Sequence, residues 1–98
     1  MTINKKSNGK ELVIGIEGSL DTSTAPALEK ELKENLKDYD SLVLDLGSLD
    51  YISSAGLRVV LSAHKTMSAK GGLKVRNVKE VVGEVFEVTG FSDILTIE

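Results

Sequence analysis

The sequence predicts an α/β domain: a mixed, mostly parallel sheet of four to five strands with an antiparallel first strand, packed with helices. Three observations carry this prediction. Short β-branched runs alternate with stretches whose apolar residues recur at helical spacing, the pattern of crossover connections between parallel strands. An Asn-Gly pair near the start favours a tight hairpin, which requires one antiparallel neighbour. The chain has 98 residues, enough for one hydrophobic core but not for two.

The elements follow in order. Thr2 to Lys6 is a short strand candidate, and Ser7-Asn8-Gly9-Lys10 is its turn. Glu11 to Gly18 is rich in β-branched residues and reads as a well-buried strand. Gly18-Ser19-Leu20-Asp21-Thr22-Ser23-Thr24 is a loop of capping residues, followed by Pro26, which a first helical turn tolerates. Ala25, Leu28, Leu32 and Leu36 form one apolar stripe, so a helix is expected from about Thr24 to Lys37. Glu29 and Lys33 stand four apart on its opposite surface.

Asp38-Tyr39-Asp40 breaks that pattern, and Ser41 to Leu46 reads as the next buried strand. Asp45 and Asp50 are read as flanking it. After the Ser53-Ser54 junction, Leu57, Val60, Leu61, His64 and Met67 mark one side of a second helix, which Gly71-Gly72 ends. Leu73 to Asn77 is a further core strand. Lys79 to Val88 is helical, with Val81, Val82, Val85 and Phe86 apolar and Gly90 as its stop. Leu95-Thr96-Ile97 closes the chain as a short strand.

Composition excludes several function classes. There is no cysteine, hence no disulfide framework or thiolate metal site, and a reducing compartment suits the chain. The net charge is −3, with no basic patch interleaved with aromatics, which argues against nucleic-acid binding. No apolar run approaches a membrane span, and no signal segment follows the first residues. A cytoplasmic domain, a monomer when free, is the expectation.

The chemistry concentrates at Asp50-Tyr51-Ile52-Ser53-Ser54-Ala55-Gly56-Leu57-Arg58. Two hydroxyls stand where a helix begins, and unpaired N–H groups and a positive dipole end meet there. One serine can cap the helix, a role worth about 1 kcal/mol. Either can accept a phosphate, because that end of a helix favours an anion. Gly56 lacks a Cβ, so it allows close approach of a partner or of the chain's own backbone. Arg58 can neutralise a nearby phosphate or simply face solvent. Asp21 follows a strand end and is expected at the same end of the molecule as Ser54, as a site residue or a turn residue.

Other chemistries find no support. His64, the only histidine, lies ten residues after Ser54, about 15 Å along a helix axis, and cannot activate the serine. Ser53-Ser54-Ala55-Gly56 is not a hydrolase nucleophile elbow. No phosphate-binding loop and no cluster of metal ligands is present, so no cofactor and no metal are expected.

With these residues in view, the chain resembles the STAS domain, and within it the bacterial anti-sigma-factor antagonists, over nearly its whole length. Two segments carry the resemblance: Gly18-Ser19-Leu20-Asp21 with Thr24-Ala25, and Tyr51-Ile52-Ser53-Ser54-Ala55-Gly56-Leu57. The family pattern at the second is aspartate, serine, serine or threonine, glycine, leucine. Alignment on Gly56 and Leu57 puts the phosphorylated serine at Ser54 and places Ser53 where the aspartate is usual. Ser53 is then an alternative acceptor. The resemblance implies a non-enzymatic switch. The unphosphorylated form binds an anti-sigma factor that is also a serine kinase and so frees a sigma factor. Phosphorylation ends binding, and a serine phosphatase resets it. Asp21, Ser53, Ser54, Gly56, Leu57 and Arg58 form the expected partner surface. Related domains also serve as subunits of transporters or of stress-sensing assemblies, which keeps the fold and drops the switch.

Overall fold

The computed structural model describes all residues, Met1–Glu98. Five strands form one sheet in the order β1-β2-β3-β4-β5, with β1 (Thr2–Asn8), β2 (Glu11–Leu20), β3 (Ser41–Ile52), β4 (Leu73–Arg76) and β5 (Thr96–Ile97). β1 runs antiparallel to β2, and every later pairing is parallel. The connections are α1 (Ala25–Asn35), α2 (Ser54–Ser68) and α3 (Glu80–Thr89), the first continued by a 3₁₀ turn over Leu36–Asp38. No helix is long and apolar enough to cross a membrane.

Strands laid side by side in chain order, with right-handed crossovers, place every connecting helix on the same face. The core has that form. Leu12, Ile14 and Ile16 of β2 stand beside Leu42, Leu44 and Leu46 of β3 and Leu73 and Val75 of β4. Leu28 and Leu32 of α1, Val60 and Met67 of α2, and Val82 and Phe86 of α3 complete one continuous cluster. Val43 is buried but stands apart from it, on the opposite face with Val13, Gly15 and Asp45. That open face is polar. Asp45 accepts from the Gly47 N–H (3.0 Å), from Asn77 Nδ2 (3.2 Å) and from Arg76 Nε (3.4 Å). The Gly47 N–H contributes most to holding the Asp45 carboxyl below its ordinary range, with Asn77 and Arg76 adding to it.

Four expectations are corrected. β1 extends to Asn8, and the turn is Gly9-Lys10 rather than Asn8-Gly9, since Asn8 pairs with Glu11. Gly9 alone takes positive φ (65°), the pattern of a type II′ turn. β2 runs on to Leu20. β3 reaches Ile52 instead of ending at Leu46, so Asp45 and Asp50 lie within the strand. Its pairing explains why. Between the pairs Gly15↔Asp45 and Leu20↔Ile52, β2 advances five residues and β3 seven, so β3 carries two extra residues at two bulges. The bulges turn Leu46, Leu49 and Ile52 inward at a spacing of three, which no alternating pattern would mark as a strand. Finally, on α2 the buried side is Leu57, Val60, Ala63 and Met67 with Val59, while Leu61 and His64 are half-buried at its margin.

The far end of the helical layer is tied down by the chain itself. Lys70 Nζ donates to the carbonyls of Leu36 (2.7 Å) and Tyr39 (3.0 Å), charge-assisted bonds at the C-terminal end of the α1 segment, where a cation is favoured.

Candidate functional site

The site is built where β2 and β3 leave the sheet. Leu20 pairs with Ile52, and the Ser53 N–H donates to the Leu20 carbonyl at 2.9 Å. The residues that follow, Asp21 on one strand and Ser53-Ser54 on the other, therefore emerge side by side. This is the common end of the sheet where parallel strands gather their functional loops.

The two serines have different roles. Ser53 is the N-cap of α2, in extended conformation (φ −98°, ψ 176°). Its Oγ accepts from the Gly56 N–H at 3.4 Å, and its carbonyl accepts from the Leu57 N–H at 2.9 Å. Ser53 is half-buried and its hydroxyl is engaged. Ser54 is the first helical residue, exposed, and its hydroxyl has no partner within the chain.

Gly56 and Leu57, expected as contact residues, are buried. Gly56 packs against the strand ends: a Cβ there would lie 2.7 Å from Leu20 Cγ, 2.9 Å from Ile52 Cγ1 and 2.9 Å from the Leu20 carbonyl oxygen. The glycine's close approach is thus to the chain's own strand ends, and it seats α2 against them. Arg58 is exposed one turn beyond Ser54 and makes no ion pair.

Asp21 organises its own loop. Its Oδ1 accepts from the Ser23 N–H (3.0 Å) and hydroxyl (2.8 Å), and from the Thr24 N–H (3.1 Å). Thr24 Oγ1 accepts from the Asp21 N–H at 2.8 Å and donates to the Ser19 carbonyl at 2.8 Å. An aspartate followed at two and three positions by hydroxyl residues is the sequence signal of this turn. Sequence reasoning took Thr24 as a helix start and missed that it locks the loop.

The Ser23 hydroxyl, followed by the Thr24 N–H, holds the Asp21 carboxyl below its ordinary value. A depressed folded-state pKa contributes stability that is present above the unfolded value, near 3.9, and is lost as pH falls through the folded one. Asp21→Ala is therefore expected to flatten the acid limb of the stability profile below about pH 4. Urea midpoints measured along a pH series test this, and equal acid slopes in both proteins would count against it.

His64 stays far from Ser54 on the same helix, and its Nδ1 is buried without a hydrogen-bond partner. No serine–histidine pair forms. Sequence reasoning also missed the ion pair between Asp50 of β3 and Lys79 at the start of α3 (2.7 Å), because twenty-nine residues separate them.

The model of the STAS domain family matches residues 2–98. Among curated proteins, BtrV of Bordetella bronchiseptica is 43% identical over 88 residues, 88% of this chain and 76% of that protein. The anti-sigma-B factor antagonist of Bacillus subtilis is 30% identical over 98 residues, 99% of this chain and 90% of that protein. Among solved structures, an anti-sigma factor antagonist from Mycobacterium paratuberculosis superposes with a TM-score of 0.89 at 23% identity, covering 98% of this chain and 83% of that one. Unphosphorylated SpoIIAA gives a TM-score of 0.77 at 15% identity, covering 99% and 87%, a likeness of fold. By its sequence match from end to end and by its sheet order, this chain belongs to the STAS domain family.

Proposed function

We propose that this protein is an anti-sigma factor antagonist whose binding is switched off by phosphorylation of Ser54. One observation carries the reading: Ser53 takes the capping role and leaves Ser54 as an exposed hydroxyl without a partner on the first turn of α2. The name of the Bacillus subtilis relative supports the antagonist role. The chain contributes no catalytic group. An anti-sigma factor with serine kinase activity supplies the phosphoryl transfer, and a serine phosphatase reverses it. Asp21, Ser53, Ser54 and Arg58 present the surface that the partner meets.

Ser53 stands where the resemblance places an aspartate, and its Oγ faces the Gly56 N–H. Its hydroxyl is engaged as the cap of α2, whereas the Ser54 hydroxyl is exposed and free, which favours Ser54 as the acceptor. Incubation with an anti-sigma factor kinase, ATP and magnesium, read by intact mass, tests the assignment. Wild type and Ser53→Ala are expected to gain one phosphate and Ser54→Ala none. Labelling of Ser54→Ala to the level of wild type would sink Ser54 as the acceptor.

A further inference from the structure

We propose that Arg58 receives the phosphate of phosphorylated Ser54 within the same helix, as an intramolecular clamp that defines the switched-off form. The proposal rests on the reading of Ser54 as acceptor. Three features of the structure lead to it.

The first is placement. Ser54 opens α2 and Arg58 follows four residues later, both exposed. Four residues on a helix bring two side chains to about 40° of each other around the axis, with Cβ atoms roughly 5–6 Å apart. The anion stands N-terminal to the cation, the favourable order.

The second is availability. Of the two arginines, Arg76 is held by Asp45 at 3.4 Å, whereas Arg58 has no carboxylate or hydrogen-bond partner. The other charged groups near this end of the fold are engaged elsewhere. Asp21 is bound by its own loop, Lys79 by Asp50 (2.7 Å) and Glu29 by Lys33 (3.4 Å). A phosphate on Ser54 would meet one free guanidinium and would break no existing pair to reach it.

The third is the helix end. The Gly56 and Leu57 N–H groups are already taken by Ser53, while those of Ser54 and Ala55 have no acceptor in the chain. These two donors lie beside the position a phosphate would take, and the planar fork of Arg58 can bind two phosphate oxygens at once. The phosphate would lie along α2, between the helix start and Arg58, instead of projecting into solvent. Arg58 is a positioning residue in this account and takes no part in phosphoryl transfer.

The test uses full-length protein with phosphoserine installed at position 54 during synthesis, so that it does not depend on a kinase. The phosphate is titrated by phosphorus NMR in wild type and in Arg58→Ala. A nearby guanidinium favours the dianion, so the wild-type midpoint, ordinarily near pH 6, is expected to lie about half a unit below that of Arg58→Ala. Arg58→Lys should recover part of that difference, since it keeps the charge and loses the fork. The Arg58 Nε–H resonance should also move on phosphorylation of the wild type. Coincident midpoints with an unmoved Arg58 resonance would overturn the clamp. Failure of Ser54 as acceptor appears separately, as absence of enzymatic labelling.

Discussion

Gly56→Ala is expected to destabilise the domain by about 2 kcal/mol, near the middle of the range for overpacking a well-filled core. The opposite sign is expected for Gly83→Ala. Both glycines are helical, and in isolation each replacement should favour the helix by up to about 1 kcal/mol. The difference lies in what the added methyl meets. At Gly83 the nearest atom is Val78 Cγ1 at 3.6 Å, an ordinary contact, so the propensity gain survives. At Gly56 the methyl would lie 2.7 Å from Leu20 Cγ and 2.9 Å from the Leu20 carbonyl oxygen, a backbone atom that pairs with the Ser53 N–H and cannot swing away. Relief would require α2 to lift from the strand ends, which loosens the packing of Leu57 and Val60 behind it. For a domain of this size the thermal midpoint should fall by roughly 10 °C or more in Gly56→Ala and rise by a few degrees in Gly83→Ala. Matched urea melts of the two variants check both signs, and an unchanged midpoint for Gly56→Ala would show that α2 is not seated as described.

The contrast between these glycines shows what a sequence can and cannot convey. The turn at Gly9 and the stop at Gly90 (φ 80°) are local, and each was marked by a glycine at the boundary between two patterns. The apolar stripe of α1 is local as well, and Leu28 and Leu32 are buried as their spacing required. Gly56 is different, because its need for a missing Cβ comes from Leu20, thirty-six residues earlier, and no local rule connects the two. The same holds for the second half of β3. Gly47, Ser48 and Asp50 resemble turn residues in isolation, and only pairing with Glu17 to Leu20 through two bulges makes them strand.

The site divides along the same line. That a hydroxyl would cap α2 was legible, since Ser53-Ser54 precedes a helical stripe. Which hydroxyl caps follows from where the strand stops, and that is a long-range fact: the Ser53 N–H is fixed by the Leu20 carbonyl, so the helix must begin one residue later. The expected proximity of Asp21 and Ser54 follows in turn from the pairing of Leu20 with Ile52. The contact role expected for Gly56 and Leu57 could not be separated from a packing role without knowing which side of α2 faces the sheet.

Phosphorylation of Ser54 is expected to weaken binding to the anti-sigma factor by a factor of about 30 or more, without unfolding the domain. Ser54 is exposed in the free protein, and on the proposed reading it is desolvated when the partner covers the start of α2. A hydroxyl crosses that step at little cost, since it forms or forgoes one bond worth about 1 kcal/mol. Ser54→Ala should therefore bind within roughly tenfold of wild type. A phosphate is a dianion for most of its population at neutral pH, and an incompletely paired charge at an interface costs about 2–5 kcal/mol, or some 30-fold to several thousandfold in Kd. Ser54→Asp carries one charge on a shorter arm, so it should fall between the hydroxyl and the phosphate. The free fold responds with the opposite sign, because an anion at the first turn of a helix is stabilising by about 0.3–1 kcal/mol. The thermal midpoint of the phosphoprotein should stay level or rise while its affinity falls. Calorimetric binding and a thermal melt on the same preparation separate the two effects. A falling midpoint together with the lost affinity would mean that phosphorylation acts by disrupting the fold. A repulsion built into the interface requires affinity to fall while the structure holds.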